Sequence, residues 1–111
     1  MLFDKITERK TCPAFSVKIY IAGPIEVAKQ IIRRECLVEG LCVTIEPTLY
    51  IYSGGEEQGY VVGLINYPRF PKTPKEILDR AEELATILLN ETFQQSFTIV
   101  TPEESLFVSK R

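Results

Sequence analysis

The chain has 111 residues, 45% of them hydrophobic and 25% charged, with a formal net charge of -2. That length gives one domain around one core, and the slight negative charge argues against binding long nucleic acid by general electrostatics. The sequence contains no histidine, which removes the commonest general base and every Ser-His or Cys-His nucleophile arrangement.

Cys12, Cys36 and Cys42 show no C-x-x-C spacing, so reduced thiols are expected rather than a metal centre or a disulfide framework. No cofactor is expected. No apolar run approaches the about 20 residues that span a bilayer, and the opening MLFDKITERK lacks a signal-peptide core. The expectation is a cytoplasmic protein without a membrane partner.

Residues 1–14 mix charges with few apolar anchors and read as an N-terminal arm, leaving 15–111 as a single α+β domain. Over 15–21 the apolar Phe15, Val17, Ile19 and Ile21 alternate with Ser16, Lys18 and Tyr20, the period of a half-exposed strand. Ala22-Gly23-Pro24 breaks it. A helix is predicted over 25–39, with Val27, Ala28, Ile31, Ile32 and Val38 at helical spacings and Gly40 as a left-handed cap. Its N-terminus carries Glu26 where an anion would sit, which disfavours a phosphate site there.

Residues 41–70 read as two long strands joined by a turn at Ser53-Gly54-Gly55-Glu56. In the first, Leu41, Val43, Ile45, Leu49 and Ile51 alternate with Cys42, Thr44, Glu46, Thr48, Tyr50 and Tyr52, so core and polar sets fall on opposite sheet faces. Pro47 cannot donate a ladder bond and suggests an edge strand. The second strand, 59–67, is apolar on both parities, as expected of a central strand. Gly59 and Gly63 share one parity there and predict shallow places for a ring or flat ligand. Glu56 and Glu57 are adjacent on the predicted turn, an arrangement that suits solvent better than a paired acid and base.

Asn66-Tyr67-Pro68-Arg69-Phe70-Pro71 is a stiff loop able to present Arg69 to a phosphate or carboxylate. Thr73-Pro74-Lys75-Glu76 combines a capping-box threonine, proline at the first helical position and glutamate three residues after the cap, and starts a second helix running to about 93. A strand over 95–100, a turn, and a short strand over 106–108 close the chain before Ser109-Lys110-Arg111.

Strand, helix, hairpin, helix, strand is the order of a ferredoxin-like split βαβ sandwich (β-α-β-β-α-β), here with an extra short C-terminal strand. Both helices would cover one sheet face. The other gathers Lys18, Tyr20, Thr44, Thr48, Tyr50 and Tyr52, a surface expected to meet a second subunit, a ligand, or both. Rings to stack, hydroxyls and an amide to read a base or sugar, and cations for phosphate make Lys18, Thr44, Thr48, Tyr50, Tyr52, Asn66, Arg69 and Arg111 the candidate contacts of a small nucleotide-like ligand. With so few general bases, the protein is expected not to be an enzyme.

The run CVTIEPTLYIYSGGEEQGYVVGLINYPRFP, followed by a capped helix and a strand pair ending in Ser-Lys-Arg, resembles small bacteriophage-encoded proteins. Among these it resembles the Thoeris anti-defence sponge family over about residues 15 to 111. The resemblance implies a non-catalytic homo-oligomer that sequesters a cyclic nucleotide or ADP-ribose-type signal in pockets at subunit boundaries. The alternative is an oligomeric inhibitor or structural protein that binds another protein through its open sheet face.

Overall fold

A computed structural model describes residues 5–110. Its elements are β1 (Ser16–Ala22), α1 (Ile25–Glu39), β2 (Thr44–Tyr52), β3 (Gly55–Ile65), α2 (Pro74–Glu91), β4 (Ser96–Val100) and β5 (Ser105–Ser109). The strands form one antiparallel sheet in the order β2-β3-β1-β4-β5. This is the expected split βαβ sandwich with its added C-terminal strand.

The alternation in β1 decides which face is core. Val17, Ile19 and Ile21 are buried, and so are Tyr60, Val62 and Leu64 opposite them on β3 and Phe97 and Ile99 on β4. They pack against Ala28, Ile31 and Ile32 of α1 and Ile77, Ala81, Leu84, Ala85, Leu88 and Leu89 of α2 in one cluster. Val27 and Val38, expected on the apolar side of α1, are both exposed. Arg34 makes a bidentate pair with Glu91, tying the two helices together on their solvent side. The exposed pair draws the Glu91 carboxyl below its usual range through that hydrogen bond.

Local signals in the sequence account for most boundaries. Thr73 accepts from the Glu76 N–H at 3.2 Å while Glu76 reaches back to the Thr73 N–H, a complete capping box. Gly40 sits in the left-handed region at φ 60° and its N–H donates to Cys36 O, ending α1. β2 is the edge strand that Pro47 requires. The hairpin turn is tighter than the sequence suggests: Gly54 takes positive φ (87°), and pairing resumes at Tyr52 with Gly55. β3 therefore begins four residues before the predicted start.

Candidate functional site

The strand registers place Lys18 opposite Gly63, Tyr20 opposite Val61 and Thr98, Thr44 opposite Gly63, Thr48 opposite Gly59, and Tyr50 opposite Glu57. Residues directly opposite on neighbouring strands share a face. The open face expected from the sequence is therefore present, and Lys18, Thr44, Thr48, Tyr50 and Tyr52 all belong to it. Glu57 joins them.

Two of the shallow places foreseen on β3 are already filled by this chain. A Cβ on Gly59 would lie 2.6 Å from Tyr50 Cε2, and one on Gly63 would lie 2.5 Å from Thr44 Oγ1. The Tyr50 ring thus lies across Gly59 rather than standing free. Its hydroxyl reaches the carbonyl oxygens of Tyr60 (3.0 Å) and Ile21 (3.2 Å). Burial pushes the Tyr50 phenol upward in pKa, with the backbone bond to Ile21 opposing the shift and the nearby Tyr20 adding to it. A ring held this way presents a fixed surface to whatever enters beside it.

Beside it is a polar cleft of about 320 Å³ at the C-terminal end of β1, lined by Tyr20, Tyr50 and Glu57 on the strands and by Phe93, Gln94 and Gln95 from the segment between α2 and β4. Ser96 and Thr98 supply hydroxyls on its far side. The volume is at the small end of ligand sites. Two phenolic rings and one carboxylate make the cleft a better host for a cation with a polar or aromatic body than for a phosphate.

A second cleft of about 320 Å³ lies at the opposite end of β1, lined among others by Cys42, Asn66, Tyr67, Phe70 and Arg80. Its one arginine is ion-paired, yet the Nη1 and Nη2 atoms of Arg80 are buried without a hydrogen-bond partner among the described residues. Arg80, with its side chain 13% exposed, holds Glu39 at 3.2 Å and Glu83 at 3.1 Å, joining the end of α1 to α2. Asn66 is buried, donates to Pro13 O at 2.9 Å and accepts the Lys72 N–H at 2.9 Å. Its amide ties the N-terminal segment and the 66–72 loop to the end of β3. The Cys42 thiol donates to the Tyr67 hydroxyl at 3.4 Å, and Tyr67 packs against Phe70 with ring centroids 5.7 Å apart.

The eight candidate contacts are therefore not brought together. From Glu57, level with Tyr50, to Asn66 is nine residues of extended chain, about 30 Å, too far for one small nucleotide to bridge. Tyr50 lines the first cleft and Asn66 the second. Lys18, Thr44 and Tyr52 are exposed on the open face, Thr48 is half-buried there, and Arg69 is exposed in its loop. Arg111 falls outside the described residues.

Sequence reasoning missed Glu57, Phe93 and the two glutamines. Reading the turn as Ser53 to Glu56 left Glu57 off the strand, although its parity with Gly59 and Gly63 assigns it to the open face once the tighter turn is known. Phe93 has φ 57°, making it the only non-glycine residue among those described with positive φ, and nothing in Thr92-Phe93-Gln94 announces that conformation.

No protein-family model matches the chain, and no curated protein matches it in sequence. Solved structures do match. A phage SAM lyase in complex with S-methyl-5'-thioadenosine shares 14% identity at TM-score 0.63, over 95% of this chain and 96% of that one. A phage SAM lyase in its apo state shares 13% identity at TM-score 0.67, over 96% of this chain and 98% of that one. The chain is thus similar in fold to a phage SAM lyase, and these matches do not single out the Thoeris sponge family. This also corrects the expectation that the protein is not an enzyme, which rested on the missing histidine: the fold, nearly end to end, is one that an enzyme uses.

Proposed function

We propose that the chain binds S-adenosylmethionine in the open-face cleft and cleaves its sulfonium, releasing S-methyl-5'-thioadenosine. The observation that carries this reading is the polar cleft lined by Tyr20, Tyr50 and the Glu57 carboxylate, in a chain whose fold matches a phage SAM lyase over 95% of its length. A sulfonium is a cation on an otherwise neutral nucleoside thioether, and aromatic faces with one carboxylate are the partners such a cation seeks. When the bond between sulfur and the terminal carbon of the amino-acid arm breaks, the electron pair goes to sulfur and neutral S-methyl-5'-thioadenosine departs. The substrate's own carboxylate oxygen bonds to that carbon and closes a five-membered lactone, so no proton need be taken and no outside nucleophile is used. The thioether leaving group needs no general acid, so a chain without histidine carries no handicap. The protein's part is to orient the bond to be broken and to keep water away from it.

The open face in a single chain leaves Tyr52 (53% exposed), Ile65 (48%) and Phe107 (66%) uncovered. A second copy packed there would bury them and close the cleft, so a homo-oligomer is part of this reading. Both neighbours are phage proteins, which supports a phage anti-defence role in which a host's nucleotide-like metabolite is removed.

The test is turnover by variants. Glu57→Gln keeps shape and removes the charge, and it is expected to lower kcat/KM for S-adenosylmethionine by about tenfold or more, with Tyr20→Ala losing a comparable amount. Wild-type rates in both variants would remove the cleft from the reaction.

A further inference from the structure

The turn after α2 contains a local conflict. Gln94 N–H donates to Leu89 O at 2.9 Å and Phe93 N–H reaches Asn90 O at 3.4 Å. These are the two bonds of a Schellman motif, with Thr92 as the cap and Phe93 in the left-handed position that follows it. Glycine is the usual occupant of that position because a side chain there crowds the backbone. A phenylalanine pays in strain and gains no burial in return, since Phe93 is 86% exposed. Phe93 is one of the residues lining the open-face cleft, next to Gln94 and Gln95.

The neighbouring amides differ in their freedom. Gln94 donates through Nε2 to Thr92 O at 3.2 Å and packs against Gly23, whereas among the described residues the exposed Gln95 engages only Lys110, through its backbone carbonyl. An unengaged carboxamide presents one donor and one acceptor side by side, the pattern that pairs with N6 and N7 of adenine.

We infer that Phe93 and Gln95 form the base-reading part of the cleft: Phe93 provides the platform on which the purine stacks, and Gln95 reads the adenine edge. This rests on the nucleoside-sulfonium reading above and assigns the two residues that choose the base. Local strain retained for an exposed aromatic ring is accounted for by what the ring binds. Removing the ring should then help the fold and harm the binding.

The experiment is calorimetric titration of the full chain with S-methyl-5'-thioadenosine and with its hypoxanthine counterpart, S-methyl-5'-thioinosine, alongside thermal unfolding and sedimentation. Phe93→Gly is expected to leave the thermal midpoint unchanged or raise it while weakening S-methyl-5'-thioadenosine by about 5- to 100-fold. Phe93→Tyr, which keeps a flat ring, should bind within about threefold of wild type, taking stacking as the main term. Wild type should prefer the adenine compound by about tenfold, a preference that Gln95→Ala abolishes. Equal affinity of Phe93→Gly and wild type overturns the inference, and if that variant instead dissociates an oligomer at unchanged affinity, the ring is a subunit contact. A wild type that binds tightly but ignores Phe93 leaves the lyase reading standing alone. A wild type that binds neither nucleoside overturns both.

Discussion

Gly59→Ala should damage both the sheet and the cleft. The added Cβ would meet Ile21 O at 2.5 Å, Tyr50 Cε2 at 2.6 Å and Ala22 Cα at 2.8 Å. Two of those three atoms are backbone of β1, so rotation of a side chain relieves only part of the clash, and either β1 and β3 separate or the Tyr50 ring leaves its bed. Overpacking of this kind costs about 1–3 kcal/mol, and losing the Tyr50 hydroxyl bond to Tyr60 O adds about 1 kcal/mol. The sum, about 2–4 kcal/mol, corresponds to a fall in Tm of about 8–30 °C for a domain of this size. Gly63→Ala is the internal control. Its Cβ meets only the Thr44 side chain, at 2.5 Å to Oγ1, which can rotate away, so its cost should stay below about 1 kcal/mol. Urea unfolding separates the two through the midpoint at constant slope. A Gly59→Ala protein as stable as Gly63→Ala would refute the claim that the Tyr50 ring and the β1 backbone close over Gly59.

Further outcomes follow from individual contacts. Thr73→Ala removes the side-chain acceptor for the Glu76 N–H and should cost about 1 kcal/mol in chemical denaturation without altering ligand affinity. Tyr60 is fully buried and desolvation pushes its phenol up to about 12. A folded-state pKa above the unfolded value near 10 means its stabilising contribution is complete below about pH 10 and lost as pH rises toward 12. Tyr60→Phe should flatten that alkaline decline, and an unchanged profile would count against the burial. The Glu91 carboxyl is shifted the other way by Arg34, so its small contribution is present above the ordinary carboxylate range and fades as pH falls below it. Glu91→Gln should make acid unfolding less dependent on pH, read by circular dichroism across the acid limb.

The fold was legible because its signals are local. The alternation of Val17, Ile19 and Ile21, the Thr73-Pro74-Lys75-Glu76 cap and the edge-marking Pro47 each act within a few residues, and each appears where its chemistry requires. The site was legible only as a face. Knowing that Tyr50 lies over Gly59 takes the register of β2 on β3, which the sequence leaves open by several residues. Asn66 has the chemistry of a ligand contact, yet both ends of its amide are engaged by Pro13 and Lys72, and satisfaction of that kind depends on residues up to 53 positions away. Phe93 is hidden for a different reason. Its conformation is imposed by the two bonds that end α2, against the preference of the residue itself.

The central claim is turnover, and the most direct measurement is to incubate the purified protein with S-adenosylmethionine and follow substrate and products by liquid chromatography with mass detection. The account predicts loss of S-adenosylmethionine with matching appearance of S-methyl-5'-thioadenosine through many turnovers per chain, and a markedly slower rate for Glu57→Gln. S-adenosylmethionine recovered intact from the wild-type protein would contradict it.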